Sequence, residues 1–111
     1  MKLAIPVAKG RLVSPPGDAE YFDIVEVDLV ERRASSAWRS DPPGSGGVAL
    51  ANWLAGDGVD LVIAASVGAK ERGQLEGHGL RVLAGAPRQT PRELLKAYLS
   101  DELEEAGVAT S

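Results

Sequence analysis

Apolar residues recur along this chain in two rhythms, and the changes of rhythm mark its elements. Residues 3–8, LAIPVA, read as a buried strand with Leu3, Ile5 and Val7 on one face. Pro6 has no N–H to give to a ladder, so a local break in pairing is expected there. Residues 9–20, KGRLVSPPGDAE, read as a Pro- and Gly-rich loop. Phe22, Ile24 or Val25, Val27 and Leu29 mark a second strand over residues 21–29. Residues 30–38 are more polar. They fit a strand pairing back at a sheet edge, where charged side chains are tolerated.

The second half changes period. Residues 40–47, SDPPGSGG, form a loop, and a helix is expected from Ser45 or Gly46 to about Ala55. Val48, Leu50, Ala51 and Leu54 stand near helical spacing, and Gly56-Asp57-Gly58 stops them. Residues 59–65, VDLVIAA, are almost continuously apolar, as in a parallel strand covered on both faces. A weaker helix over 69–76 contains Gly73, and a short strand follows at 80–83. Thr90-Pro91-Arg92-Glu93 is a strong helix start: a capping hydroxyl, Pro at the first position and Glu three residues after the cap. Leu94, Leu95, Tyr98 and Leu99 then share a face. The residues after Asp101 are acidic and are expected to fray. The order predicts an α/β fold in which an antiparallel opening passes into strand–helix–strand crossovers.

Length narrows this to one domain of 111 residues. The formal net charge of −4 disfavours sequence-independent binding to nucleic acid or anionic membranes. With no cysteine, the chain offers neither disulfides, thiolate ligands nor a cysteine nucleophile. The N-terminal apolar run is too short for a signal peptide and no stretch approaches a membrane span, so a cytoplasmic location is expected.

Candidate chemistry concentrates between Gly44 and Gly68, GSGGVALANWLAGDGVDLVIAASVG. Two helices there start from small residues, leaving backbone N–H groups and a partial positive charge uncovered. Such ends favour anions. Ser45, Gly46 and Gly47 open the first. Ser66, Gly68 and Lys70 stand where an apolar strand ends and the next helix begins, the preferred ligand end of an open α/β sheet. No Lys-Ser/Thr follows the glycines, so this is not a nucleotide P-loop. Lys9, Arg11, Arg39, Lys70 and Arg88 are cations in or near the proposed loops, and solvated surface charge is the plainer reading of most of them. His78, the only histidine, lacks clustered partners and reads as an exposed residue near a helix end.

The words MKLAIPVAKGRLVSPP, AEYFDIVEVD and GSGGVALANWLAGDGVDLVIAASVGAKERGQLEGHGLRVLAG together resemble the dinitrogenase iron–molybdenum cofactor biosynthesis family. The resemblance covers about residues 1–100 as one domain, leaving 101–111 as an acidic tail. It implies a ribonuclease H-like fold: a mixed five-stranded sheet in the order 3-2-1-4-5, flanked by helices. It also implies a nitrogen-fixation accessory role, the non-enzymatic binding, storage or transfer of a molybdenum-containing metal–sulfur cofactor. The cluster would be of iron–molybdenum or molybdenum–copper type, as in orange-protein-like members, and bound non-covalently. The residues that would hold it are Ser14, Ser45, Gly46, Gly47, Ser66, Gly68, Lys70 and Arg39. Implied partners are cofactor-assembly or acceptor proteins, with the chain a monomer or weak homodimer.

One departure stands out. After Ser14-Pro15 the chain has Pro16-Gly17 where many members continue with His-Phe-Gly, so the loop lacks its usual histidine. An interaction domain of the same fold that has lost its cofactor is the alternative this favours. A ribonuclease-type nuclease would need an acidic residue in the middle of the first strand, and LAIPVA has none.

Overall fold

In the computed structural model, residues 1–13, 16–42 and 47–100 are described. The elements run β1 (Lys2–Ala8), β2 (Arg11–Leu12), a 3-10 turn (Pro16–Asp18), β3 (Tyr21–Asp28) and β4 (Arg33–Ser40). They continue with α1 (Gly47–Gly56), β5 (Leu61–Ile63), α2 (Ala69–Gly77), β6 (Arg81–Leu83) and α3 (Pro91–Leu99). The sheet path is β4-β3-β1-β5-β6, with β2 paired to β1 off that path. β1 is antiparallel to β3 and β3 to β4, whereas β1, β5 and β6 are mutually parallel.

Among the described residues the sheet therefore has six strands rather than five. The extra one is the two-residue β2, inside the segment read as loop. It pairs Val7 with Leu12 and Ala8 with Arg11. Lys9 and Gly10 make the connection at φ 54° and 78°, the paired left-handed conformation of a two-residue hairpin turn. Two residues are too few to show a strand period, and Gly10 was the only turn signal.

Pro6 interrupts less than its chemistry suggested. The β1–β3 register runs unbroken through Pro6 and Phe22. Met1 and Val27 exchange both backbone hydrogen bonds, so by the antiparallel alternation Leu3, Ile5 and Val7 face β3. The missing N–H of Pro6 falls on the opposite side, where β1–β5 pairing involves only Leu3 and Ala4. The loss is felt in the β1–β2 hairpin instead: Val13 N–H donates to Pro6 O at 3.1 Å, and the proline cannot return the bond, so regular β1–β2 pairing ends at Val7 and Leu12.

Strand alternation sorts the core into two layers. Leu3, Ile5, Val7, Val25, Val27, Leu61, Ile63 and Leu83 face α3, which contributes the fully buried Leu94 with Leu95, Tyr98 and Leu99 around it. Ala4, Phe22, Ile24, Val62 and Val82 face α1 and α2, meeting Leu50, Ala51, Leu54 and Leu75. Trp53 of α1 closes this layer edge-on to Phe22, ring centroids 5.5 Å apart. β5 is buried at all three positions, as its continuous apolar run requires. β4 is exposed at every residue but the last and forms a sheet edge.

Candidate functional site

Strand direction gathers the candidate residues. β1, β5 and β6 all end at one edge of the molecule; β3 begins there and β4 ends there. All three helices follow strands that finish at this end, so α1, α2 and α3 all begin there. Their partial positive charges add at a single end of the sheet.

The three starts differ in what satisfies them. Thr90 caps α3 with a full capping box: its hydroxyl accepts from the Glu93 N–H at 3.3 Å, and the Glu93 carboxylate accepts from the Thr90 N–H at 3.0 Å. These bonds hold the exposed Glu93 carboxyl below the usual glutamate value. The α3 N-terminus is thus occupied. α2 has Gly68 as its N-cap, in extended conformation and with no side-chain cap. A Cβ added at Gly68 would meet nothing within 4 Å among the described residues, so the cap position itself borders open space. Glu71, in the first turn of α2, already takes part of the dipole. α1 begins at Gly47 with no acidic residue in its first turn.

The loops behind α2 are laced together by backbone bonds. Ala64 N–H donates to Leu83 O at 2.8 Å, Gly85 N–H to Ala65 O at 3.0 Å and Ala86 N–H to Ala64 O at 3.1 Å. Leu12 N–H reaches Gln89 O at 2.9 Å, tying the β1–β2 hairpin to the loop after β6. The α2 start is therefore mounted on a bonded frame rather than on a free loop.

Ser66 and Gly68 are exposed on the β5–α2 connection, and Lys70 is exposed in the first turn of α2. Gly47 is the first residue of α1. Ser14, Ser45 and Gly46 lie outside the described residues. Arg39 stands apart from the β5–α2 loop. β3 and β1 separate β4 from β5, three strand steps or about 14 Å. Arg39 pairs with Asp23, which shares the α3 face with Val25, and its guanidinium lies over the Tyr21 ring at 3.7 Å. Burial raises the Asp23 carboxyl, and nearby Arg39 partly offsets this. The Tyr21–Arg39 stack was not legible in the sequence: the two residues are 18 positions apart and meet only through register.

Other polar residues, His78 among them, have structural employment. Asp28 Oδ1 accepts from the Val30 and Glu31 N–H groups and shapes the β3–β4 turn, which lowers its pKa. Asp60 Oδ2 accepts from Lys2 N–H at 2.9 Å. His78 sits at the α2 C-terminus with Nδ1 2.9 Å from Gln74 O. Among the described residues no group of three or more His, Asp or Glu could hold a metal ion. No helix among them is long and apolar enough to cross a membrane.

Amides, a lysine and small residues form a setting for an anion at the carboxyl end of a mixed α/β sheet; a bare metal cation would find no ligand set among them. The class so defined is a small α/β protein with helix N-termini gathered at one end. The family described as dinitrogenase iron-molybdenum cofactor matches residues 1–101, and the chain belongs to that family. Solved structures share the fold. The apo orange protein from Desulfovibrio gigas is 22% identical, covers 96% of this chain and 92% of its own, and superposes with a TM-score of 0.75. A protein described as a NifB candidate from Thermotoga is 24% identical, with coverage of 94% and 91% and a TM-score of 0.72. A candidate dinitrogenase from Methanocaldococcus jannaschii is 14% identical, with coverage of 96% and 95% and a TM-score of 0.76. No curated protein matches the sequence significantly.

Proposed function

We propose that this protein is a non-enzymatic carrier whose cargo is an anionic, molybdenum-containing metal–sulfur cluster handled during cofactor assembly. The family supplies the class of cargo, and the architecture is read as ribonuclease H-like. The observation that carries the proposal is the α2 start: Gly68, uncapped and facing open space, at the carboxyl end of the parallel strands. Sulfide ligands of a cluster accept hydrogen bonds, so the donor set fits. Amides of residues 68–70 and of the α1 start would contact the cluster's sulfides. Ser14, Ser45 and Ser66 would add hydroxyl donors, Gly46 and Gly47 close backbone approach, and Lys70 charge neutralisation. Arg39, held on Tyr21, would act at most as a more distant cation. The cluster brings its own metals and sulfides; the chain contributes orientation and neutralisation.

The test is anaerobic reconstitution with tetrathiomolybdate and copper(I) or iron, read by visible absorption and titration calorimetry. Coloured, stoichiometric binding is expected. Absence of both bands and heat would sink the proposal. Gly68→Asp sharpens it. Asp caps a helix at least as well as Gly, so the fold should hold. A carboxylate about 4 Å from an anion, however, costs up to about 4 kcal/mol near a protein surface. Affinity should therefore fall at least about tenfold, and unchanged affinity in a folded variant would move the site elsewhere.

A second reading is a protein-interaction domain that has lost its cargo, and the specific observation favouring it is the loop Ser14-Pro15-Pro16-Gly17, without histidine. Under that reading protein partners are retained equally by wild type and Gly68→Asp, and reconstitution fails in both.

A further inference from the structure

A groove of about 510 Å³ runs beside α3, lined by Arg32, Arg92, Leu95, Lys96, Leu99 and Ser100. It is a second chemistry on the molecule, since α3 carries it down towards the amino end of β1. Arg92 and Lys96 stand one helical turn apart on the same side of α3, as do Leu95 and Leu99. Among the described residues, neither Arg92 nor Lys96 has an ion-pair or hydrogen-bond partner for its side chain, in a protein with more acidic than basic residues. Arg32 reaches across from the β3–β4 turn, its Nη1 donating to Leu99 O at 3.0 Å. Leu95 and Leu99 are half-buried against the core and complete an apolar floor.

Cations flanking an apolar strip select carboxylates flanking an apolar side chain. The chain itself supplies that pattern where the groove ends: Ser100 lines it, and Asp101-Glu102-Leu103-Glu104-Glu105 follows. Four carboxylates set around one leucine meet three cations set around two leucines. Linkage to Ser100 also gives this segment an effective concentration of order millimolar, ahead of any separate acidic partner. We propose that the acidic run 101–105 is the occupant of the α3 groove in the same molecule, with carboxylates at Arg32, Arg92 and Lys96 and Leu103 at the apolar strip.

Glu-specific proteolysis of the full-length protein, followed by mass spectrometry, reads cleavage within 101–105. Wild type should resist cleavage there. Arg92→Glu with Lys96→Glu should raise the rate severalfold, as should 0.5 M salt. Charge reversal of the acidic run (Asp101→Lys, Glu102→Lys, Glu104→Lys, Glu105→Lys) is read by amide chemical shifts, because it removes the cleavage sites. It should move the Arg92–Ser100 signals in the wild-type background, and combining it with the two α3 reversals should return them towards wild type. Equal cleavage rates in wild type and the α3 variant, with unmoved shifts on reversal, would overturn the proposal. Protection that grows with protein concentration would overturn it too, by assigning the groove to the acidic run of a second copy. So would wild-type binding of oligoglutamate as tight as in the charge-reversed variant, which would mark the groove as open to outside partners.

Discussion

At the residue scale, single side chains decide which helix starts are closed and which are open. Thr90 and Glu93 close α3, and both were legible because a capping box is local: four consecutive residues satisfy each other. Thr90→Ala should cost about 1 kcal/mol of stability, measured by urea denaturation at neutral pH. The pH dependence follows from the direction of the Glu93 shift. Its carboxyl titrates below the ordinary 4.5, so its contribution is complete above that value and is lost as pH falls through the lower, folded-state value. The gap between wild type and Thr90→Ala should accordingly narrow on the acid side of pH 4.5. The Thr90 N–H bond, the larger cause of the shift, survives in the variant, so a gap that widens there would contradict the share assigned to the Thr90 hydroxyl.

Elements were legible where a period extends over several residues. β1, β3 and all three helices lie close to their expected positions, because burial on one or both faces imposes the pattern over a whole element; β5 spans only Leu61–Ile63 of its expected 59–65. β4 runs Arg33–Ser40 against an expected 30–38. The turn ahead of it is set by Asp28 bonds and a left-handed Arg32, φ 54°, neither of which an apolar pattern reports. α3 shows how little can anchor an element. Leu94 is its one fully buried residue, the bolt between the helix and the β1–β5–β6 surface. Leu94→Ala should cost about 2–5 kcal/mol. Hydrogen exchange in α3 should accelerate more than in β1 or β3, the strands that the opposite layer continues to cover. Uniform acceleration across the sheet would show that α3 and the sheet unfold as one unit.

At the scale of the whole molecule, topology turns three separate helix starts into one electrostatic feature. Charges beyond about 8 Å are largely screened at physiological salt, so the field at that end is set by local groups, with Glu93 closing α3 and Glu71 offsetting part of the α2 dipole. A thiomolybdate species at a hundredfold excess over its dissociation constant should stabilise the fold by about 2.7 kcal/mol, a rise in Tm on the order of 10 °C for a domain of this size. Gly68→Asp should show little of that rise. An equal rise in both proteins would place the anion away from α2.

The sequence by itself determined the elements, the two-sided burial of β5, the capped start of α3 and the Gly-rich starts of α1 and α2. Each follows from local rules: side-chain periodicity, capping geometry and the absence of a Cβ. Tertiary structure decided the rest. It added β2, turned Pro6's missing donor away from β3 and towards the short hairpin, and placed Arg39 on Tyr21 rather than beside Gly68. It also set Arg32 against Arg92 and Lys96, 60 and 64 residues further along the chain. These outcomes depend on strand order, direction and register. Those are fixed by which apolar faces find each other, a choice made between segments and written in none of them alone.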